Sequence, residues 1–530
     1  MEDWPLMRTG QLAIVLHAHL PFVRHPEHEE FFEEDWLFEA ITETYLPLIT
    51  MMERLLADDV PFKLTMSLTP PLCAMLQDEL LQARYVRHLQ RSIALAQREI
   101  ERTRDNPELQ ALAHFYCELL TATLCRYEAC NRDLLALFRA LRDAGALEII
   151  ASAATHGLLP LLAQSPNAAR AQIRIGCDAY RQTFGSDAVG FWLPECAYAP
   201  GLENLLQEAN IRWFILDAHA FSLAKPRPRR AIFAPSFTSA GPAAFARDPE
   251  SSRQVWSAES GYPGDPAYRE FYRDVGFDLP PEQVFPDSVT KTPRFTGLKY
   301  HRITGRGCEK QLYNRGWAEA AATAHAEHFL ESRQQQFAAL GDIDFDPILV
   351  MPFDAELFGH WWHEGPLFLE QFIRKAAACP DRLQLTTPTE YLATHSTQEV
   401  IAPAASSWGD GGYWQVWLEA SNAWIYPHLH AAARRIAEAA QTYRAAADPV
   451  TERALKQLAR ELLLAQSSDW AFLIRSGTAT QYATRRTNEH LRRFNTLIEQ
   501  LNASSVDDRF LADCEWRDNI FPDLEWRHYL

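Results

Sequence analysis

None of the nine cysteines in this 530-residue chain stands in a CxxC pair or at metal-finger spacing. An odd, scattered set of this kind excludes a disulfide framework and fits a reducing compartment. Basic charge is not in excess either. Lys and Arg number 51 against 69 Asp and Glu, a formal charge of -18, so the chain would repel a nucleic-acid backbone. A neutral substrate is the simpler expectation. Long apolar runs are missing too: Leu12 to Leu16 is too short to span a membrane and lacks the basic flank of a secretory signal. The expectation is a cytoplasmic protein with neither nucleic acid nor membrane among its partners. The chain shows no internal repeat, heptad series or charge block.

What is present describes a folded protein with a sizeable core, because 47% hydrophobic and 23% charged residues are ordinary globular values that exclude global disorder. At this length one large catalytic domain with satellites is expected. Aromatic residues reach 12%, including 15 Trp, a supply suited to stacking on flat apolar faces, although most Trp in a chain this size pack cores.

Short β-branched and aliphatic runs recur between long helical stretches, at Leu12 to Leu16, Phe62 to Leu68, Leu147 to Ala151, Val189 to Leu193, Trp213 to Leu216, Ile348 to Met351 and Leu383 to Leu385. Near-continuous apolar runs imply strands covered on both faces, so the pattern predicts a parallel β/α barrel. Its first part spans 1–82 and its second 146–420. A helical insertion at 83–145 has Leu89, Ile93, Ala96 and Ile100 at helical spacing. Residues 225–252 are rich in Pro, Gly and Ser and are expected to form a lid loop. A helical domain follows at 421–530, with Asp448 and Pro449 as helix cap and first helical residue.

In a barrel the chemistry gathers where strands end, and here the runs finish at His17, close to His156, and at Glu195, Asp217 and Asp354. His17 and His19 stand two apart, so on an extended chain both imidazoles face one side and could bind a metal or hold sugar hydroxyls; partly buried, hydrogen-bonded histidines are the blander alternative. Glu195 sits in the apolar run Trp192-Leu193-Pro194-Glu195-Cys196-Ala197-Tyr198, where a carboxylate is costly without partners. The densest stretch, Met351 to Glu364, packs three carboxylates, two histidines and two tryptophans, with Asp354 first after its strand and Trp361 available to substrate. Two carboxylates on different strands suit glycoside chemistry, one attacking the anomeric carbon and the other protonating the leaving oxygen. Trp408, Trp414 and Trp417 could stack on sugar rings or pack the core.

These stretches, in this order, resemble the sequence regions of glycoside hydrolase family 57, most closely its 1,4-α-glucan branching enzymes. Gly261-Tyr262-Pro263-Gly264-Asp265, Lys299-Tyr300-His301-Arg302 and Gln466-Ser467-Ser468-Asp469-Trp470 carry the likeness further along the chain. The resemblance implies an incomplete (β/α)7 barrel with a helical insertion and a helical C-terminal domain, acting by retention without metal or organic cofactor. It assigns Glu195 as nucleophile and Asp354 as general acid/base, with His17, His19 and His156 around the cleaved sugar. Trp408 and Trp417 would bind glucan, and Asp469 and Trp470 would bring the C-terminal domain to the cleft. The implied partner is α-1,4-glucan such as amylose or glycogen, the implied role glycogen biosynthesis by a monomer.

Branching members carry a Tyr in a stretch resembling Ala-Pro-Ile-Tyr-Thr-Pro, whereas this chain reads Ala234-Pro235-Ser236-Phe237-Thr238-Ser239. Phe237 in the expected lid would therefore move the balance toward hydrolysis. The competing readings are an α-amylase or 4-α-glucanotransferase using the same site, a zinc-dependent mannosidase-like or deacetylase-like hydrolase with His17 and His19 as ligands, and a silent glucan-binding protein.

Overall fold

The computed structural model describes residues 9–257, 260–286, 291–305, 307–445 and 448–530. Ten strands occur among them: β1 (Gly10–Ala18), β2 (Leu64–Leu68), β3 (Leu147–Ser152), β4 (Gly190–Trp192), β5 (Trp213–Leu216), β6 (Ser236–Thr238), β7 (Ala243–Ala246), β8 (Ile348–Asp354), β9 (Leu383–Leu385) and β10 (Glu399–Ile401). The sheet order is β10-β6-β7-β5-β4-β3-β2-β1-β8, with β9 on the start of β1. From β7 through to β8 every pairing is parallel. The curl nearly closes, since the bridge Arg247↔Val350 joins the end of β7 to β8. This is the parallel β/α barrel that the apolar runs predict, in the incomplete (β/α)7 form that the family resemblance implies.

Strand alternation decides which residues face the barrel axis. On β1, Leu12, Ile14 and Leu16 pack outward into the large core shared with the helices, whereas Ala13 and Val15 belong to a second cluster inside the curl. His17 continues that inward row. On β8, Ile348 and Val350 point inward in the same way, and Asp354 ends their row. The register pairs His17 with Asp354 on one side and with Ser67 on the other, so three polar side chains rise together at the carboxyl edge.

Part of the expected lid segment is sheet: after the irregular stretch 226–235 the chain forms the antiparallel pair β6 and β7, with Ser236, Thr238 and the whole of β7 buried. Phe237 pairs with Ala243 and with Val400 and packs on the inner cluster, so it is a residue of the sheet. The composition misleads because Ala243, Ala244 and Ala246 are small for packing reasons: β7 is covered on both faces, and strand propensity there is decided by burial. A second excursion, broken only by short helical turns, lies at 260–286, against the loop that follows β8.

The insertion consists of helices Glu79–Arg102, Pro107–Ala129 and Leu134–Asp143, each begun by a side-chain cap from Asp78, Asn106 or Asp133. The C-terminal domain is helical from Ile425, and Asp448 caps the helix Pro449–Ala465 through the amides of Val450 and Thr451. Its helix Ser468–Ser476 begins at the barrel mouth, joined to it by the bridge Gly157↔Ser467 and by Ser468 N–H to His156 O at 3.1 Å.

Candidate active site

Glu195 stands just past β4 on a tight left-handed turn, with φ of 62° at Glu195 and 47° at Cys196. His156, just past β3, also has positive φ, 57°. Such backbone costs roughly 1–3 kcal/mol at each non-glycine residue and persists only where surroundings enforce it, which marks these turns as functional candidates. The Glu195 carboxylate accepts two hydrogen bonds, from Trp408 Nε1 at 2.9 Å and from Ser468 Oγ at 3.2 Å. One donor comes from the barrel and the other from the C-terminal domain, so the nucleophile candidate is held from both sides.

The histidines form an ordered chain behind it. Ser468 spends its single proton on Glu195, so it must accept from His156 Nδ1 at 2.9 Å. That tautomer leaves His156 Nε2 bare, to accept from His17 Nε2–H at 2.9 Å, and His17 Nδ1 in turn accepts from Ser67 O–H at 2.7 Å. This assignment makes both rings neutral. Burial agrees with it, driving His17 and His156 well below the ordinary histidine value, with neighbouring imidazoles adding to the effect. Trp192 stacks on His17 at 4.4 Å and forms the floor.

His19 Nε2 meets Asp469 Oδ2 at 2.9 Å, and its Nδ1 meets Thr69 Oγ1 at 2.9 Å. Burial would raise Asp469, but the His19 contact holds it well below the usual carboxylate range. His19, His156 and Asp469 offer ligand atoms within 4.8 Å of one another, the one such group at the cleft among the described residues. Both nitrogens of His156 and both of His19 already have hydrogen-bond partners, so a cation would have to displace built contacts rather than fill an open set of donors.

Asp354 differs from Glu195 in kind. Among the described residues no donor reaches its carboxylate; burial first and the Glu356 charge second hold it well above the ordinary Asp value, opposed by Arg247. Glu195 is pushed up to about 7, by burial against the Trp408 donor, with Asp354 and Asp469 adding to the rise. Each carboxylate therefore feels the cleft, and Glu195 feels Asp354. They come from strands well apart in the sheet, since β3, β2 and β1 lie between β4 and β8, yet the curl brings them near enough for the Asp354 charge to act on Glu195.

Three supporting residues escaped the sequence reading. Glu356 accepts from Tyr45 O–H at 2.5 Å and from His19 N–H at 3.2 Å, fixing the loop after β8. Arg247 donates to Ser252 at 2.7 Å, pairs with Asp217 at 3.4 Å and lies over the Trp408 ring at 5.5 Å. Ser468 was within a quoted motif but had no role. Only Glu356 left a signal, two residues beyond Asp354 in an acidic, aromatic stretch.

Not every expected sugar-stacking Trp is available. Trp417 is 1% exposed and packs beneath Gly409, and Trp470 is 1% exposed with its indole N–H on Leu464 O at 2.7 Å. Both are core residues that hold the loops carrying Trp408 and Asp469. Trp408 is partly exposed at the cleft beside Trp256, and Trp361 is half-exposed.

A curled parallel sheet with two unlike carboxylates, neutral imidazoles and aromatic rings at its carboxyl edge defines a barrel enzyme of the carbohydrate-processing class. Residues 13–404 match the model of glycosyl hydrolase family 57, and residues 428–529 match that of the 1,4-alpha-glucan branching enzyme C-terminal domain. The chain belongs to glycosyl hydrolase family 57. It is 43% identical to the alpha-amylase AmyC of Thermotoga maritima, over 99% of both chains with a TM-score of 0.92. It is 32% identical to the branching enzyme of Pyrococcus horikoshii, over 98% of this chain and 97% of that one, with a TM-score of 0.88. A 1,4-alpha-glucan branching enzyme of Thermococcus kodakarensis is 32% identical over 97% of this chain and 77% of its own length.

Proposed function

We propose that this chain is a 1,4-α-glucan branching enzyme that cleaves α-1,4-glucan with retention and passes the cut segment to a 6-hydroxyl. The observation that carries the mechanism is the contrast between the carboxylates: Glu195 has two donors that favour its anion, and Asp354 has none among the described residues. Environments that push two carboxyl groups apart assign base-like and acid-like roles. Glu195 attacks the anomeric carbon while Asp354 gives its proton to the leaving oxygen. Asp354, now a carboxylate, takes the proton of an acceptor hydroxyl whose oxygen displaces Glu195. The neutral His17 and His156 hold Ser468 as a donor to Glu195 without adding charge that would compete for the nucleophile.

The same reading places the protein in glycogen building, as a cytoplasmic monomer that needs no cofactor. In its favour stand the branching-enzyme C-terminal domain and the finding that no helix among the described residues is long and apolar enough to cross a membrane. The 43% identity to AmyC favours a second reading, hydrolysis at the same site. Incubation with amylose separates them. Branching gives a product from which a debranching enzyme releases short chains, with few new reducing ends; an amylase gives reducing ends and nothing to debranch.

A further inference from the structure

The loop after β8 holds more than the acid/base candidate. Seven residues beyond Asp354, the Trp361 ring lies flat on Phe271, with centroids 4.4 Å apart and planes at 29°, and still leaves 51% of the residue exposed. Tyr272 stands edge-on to Phe271 at 5.1 Å and is 72% exposed. A cluster of exposed large aromatics beside a cleft is unusual on a monomer surface and marks a contact surface.

The surroundings hold this ledge rigid. A π-helical turn at Ile41–Tyr45 sends Tyr45 to Glu356 and Glu43 to His360, the latter at 2.6 Å, so both ends of the loop are pinned. Gly359 has φ of 122°, and a Cβ there would meet Glu43 O at 1.8 Å, so the loop is pressed onto that turn. Behind Phe271, buried Lys299 places its ammonium 3.9 Å from the ring centroid, and Arg269 pairs with Glu43 at 3.2 Å. Buried charges and a π-turn are a costly way to display two rings unless the rings bind something.

We propose that Trp361, Phe271 and Tyr272 form the acceptor platform, a stacking ledge for the glucan chain on the leaving-group side of the cleaved bond. The side follows from the chemistry. A general acid must reach the glycosidic oxygen, so the loop carrying Asp354 borders the departing sugar, and the acceptor later occupies that same place. Sugar rings present apolar C–H faces that suit a flat, half-open aromatic, and rigid aromatics bind at small entropic cost. This proposal rests on the α-glucan reading above.

The test compares Trp361→Ala, Tyr272→Ala and Trp361→Phe with Trp317→Ala, a control at a 59%-exposed ring on the helix Arg315–Ala338. With amylose, the ratio of new branches to new reducing ends falls about fivefold to tenfold in Trp361→Ala and less in Tyr272→Ala, as loss of a stacked ring implies. Added maltooligosaccharide restores part of the transfer, Trp361→Phe recovers much of it, and Trp317→Ala matches the native protein. A second readout needs no turnover: in the Glu195→Gln background, Trp361→Ala and Tyr272→Ala migrate faster in an amylose-containing gel than Glu195→Gln alone. Should the native protein hydrolyse without transferring, the ledge holds the leaving chain and this gel decides. Branch ratio and gel retention within twofold of their parents in both alanine variants would overturn the ledge while leaving the α-glucan reading intact. A native protein that neither cuts amylose nor is retained by it would overturn both.

Discussion

Two groups of histidine and carboxylate lie in this molecule, and they share residue types while differing in everything that decides chemistry. At the barrel mouth stand Glu195, Asp354, Asp469 and three histidines, and among the described residues no Lys or Arg pairs with these carboxylates. In the C-terminal domain Glu461, His490 and Asp518 are fully buried, also with ligand atoms within 4.8 Å of one another. There Arg493 donates to Asp518 at 2.5 Å, Arg486 reaches it at 3.4 Å, and His490 Nδ1 meets Glu461 at 2.7 Å. Burial and the Arg486 charge keep His490 neutral, well below the ordinary value. The second group is a closed pin with its charges matched. The first is left short of cations and open to the cleft, and that unmatched state is what acid, base and nucleophile chemistry requires.

The comparison breaks first on stability. Asp518→Ala strands Arg493 and Arg486 in the core and is expected to cost about 3–5 kcal/mol in denaturant unfolding, with the folded fraction still active. Unchanged stability would show that the pin is not paired in solution. Glu195→Gln goes the opposite way. The folded value of about 7 lies above the ordinary Glu value, so the ionised form weakens the fold as pH rises through that window. The variant is therefore expected to be more stable by about 1–3 kcal/mol at pH 8 and nearly equal to the native protein near pH 4.5. Equal stability at both would remove the claim of an unmatched carboxylate.

Ser468→Ala sharpens the comparison further. Losing a donor to the Glu195 anion raises its pKa, so the acidic limb of the kcat/KM profile moves to higher pH, with roughly a tenfold loss below the optimum and recovery in Ser468→Thr. A loss with no shift of the limb would make Ser468 merely structural. The smallest expected effect is that of a chelator, which leaves activity unchanged because His19 and His156 are already hydrogen-bonded; loss on chelation and return with zinc would revive the metal reading.

The barrel was legible because parallel strands buried on both faces read as apolar runs, and strand-end polarity pointed to His17, Glu195 and Asp354. β7 was not legible, since an alanine-rich strand carries no β-branched signal and its flanking Pro and Gly read as loop. Trp417 and Trp470 sit in motifs beside cleft residues, and sequence proximity does not reveal that a ring points into the core. Ser468 and Arg247 are common residue types whose part arises only when distant segments meet, and spacing along the chain holds no trace of that.

The most direct test of the two-carboxylate account is azide rescue of Asp354→Ala and Glu195→Ala on a glucosyl donor with an activated leaving group. The account predicts an α-configured glycosyl azide from Asp354→Ala, formed by azide on the Glu195 adduct, and a β-configured one from Glu195→Ala, formed by direct displacement. Reversed anomers, or near-native turnover without azide in either variant, would contradict it.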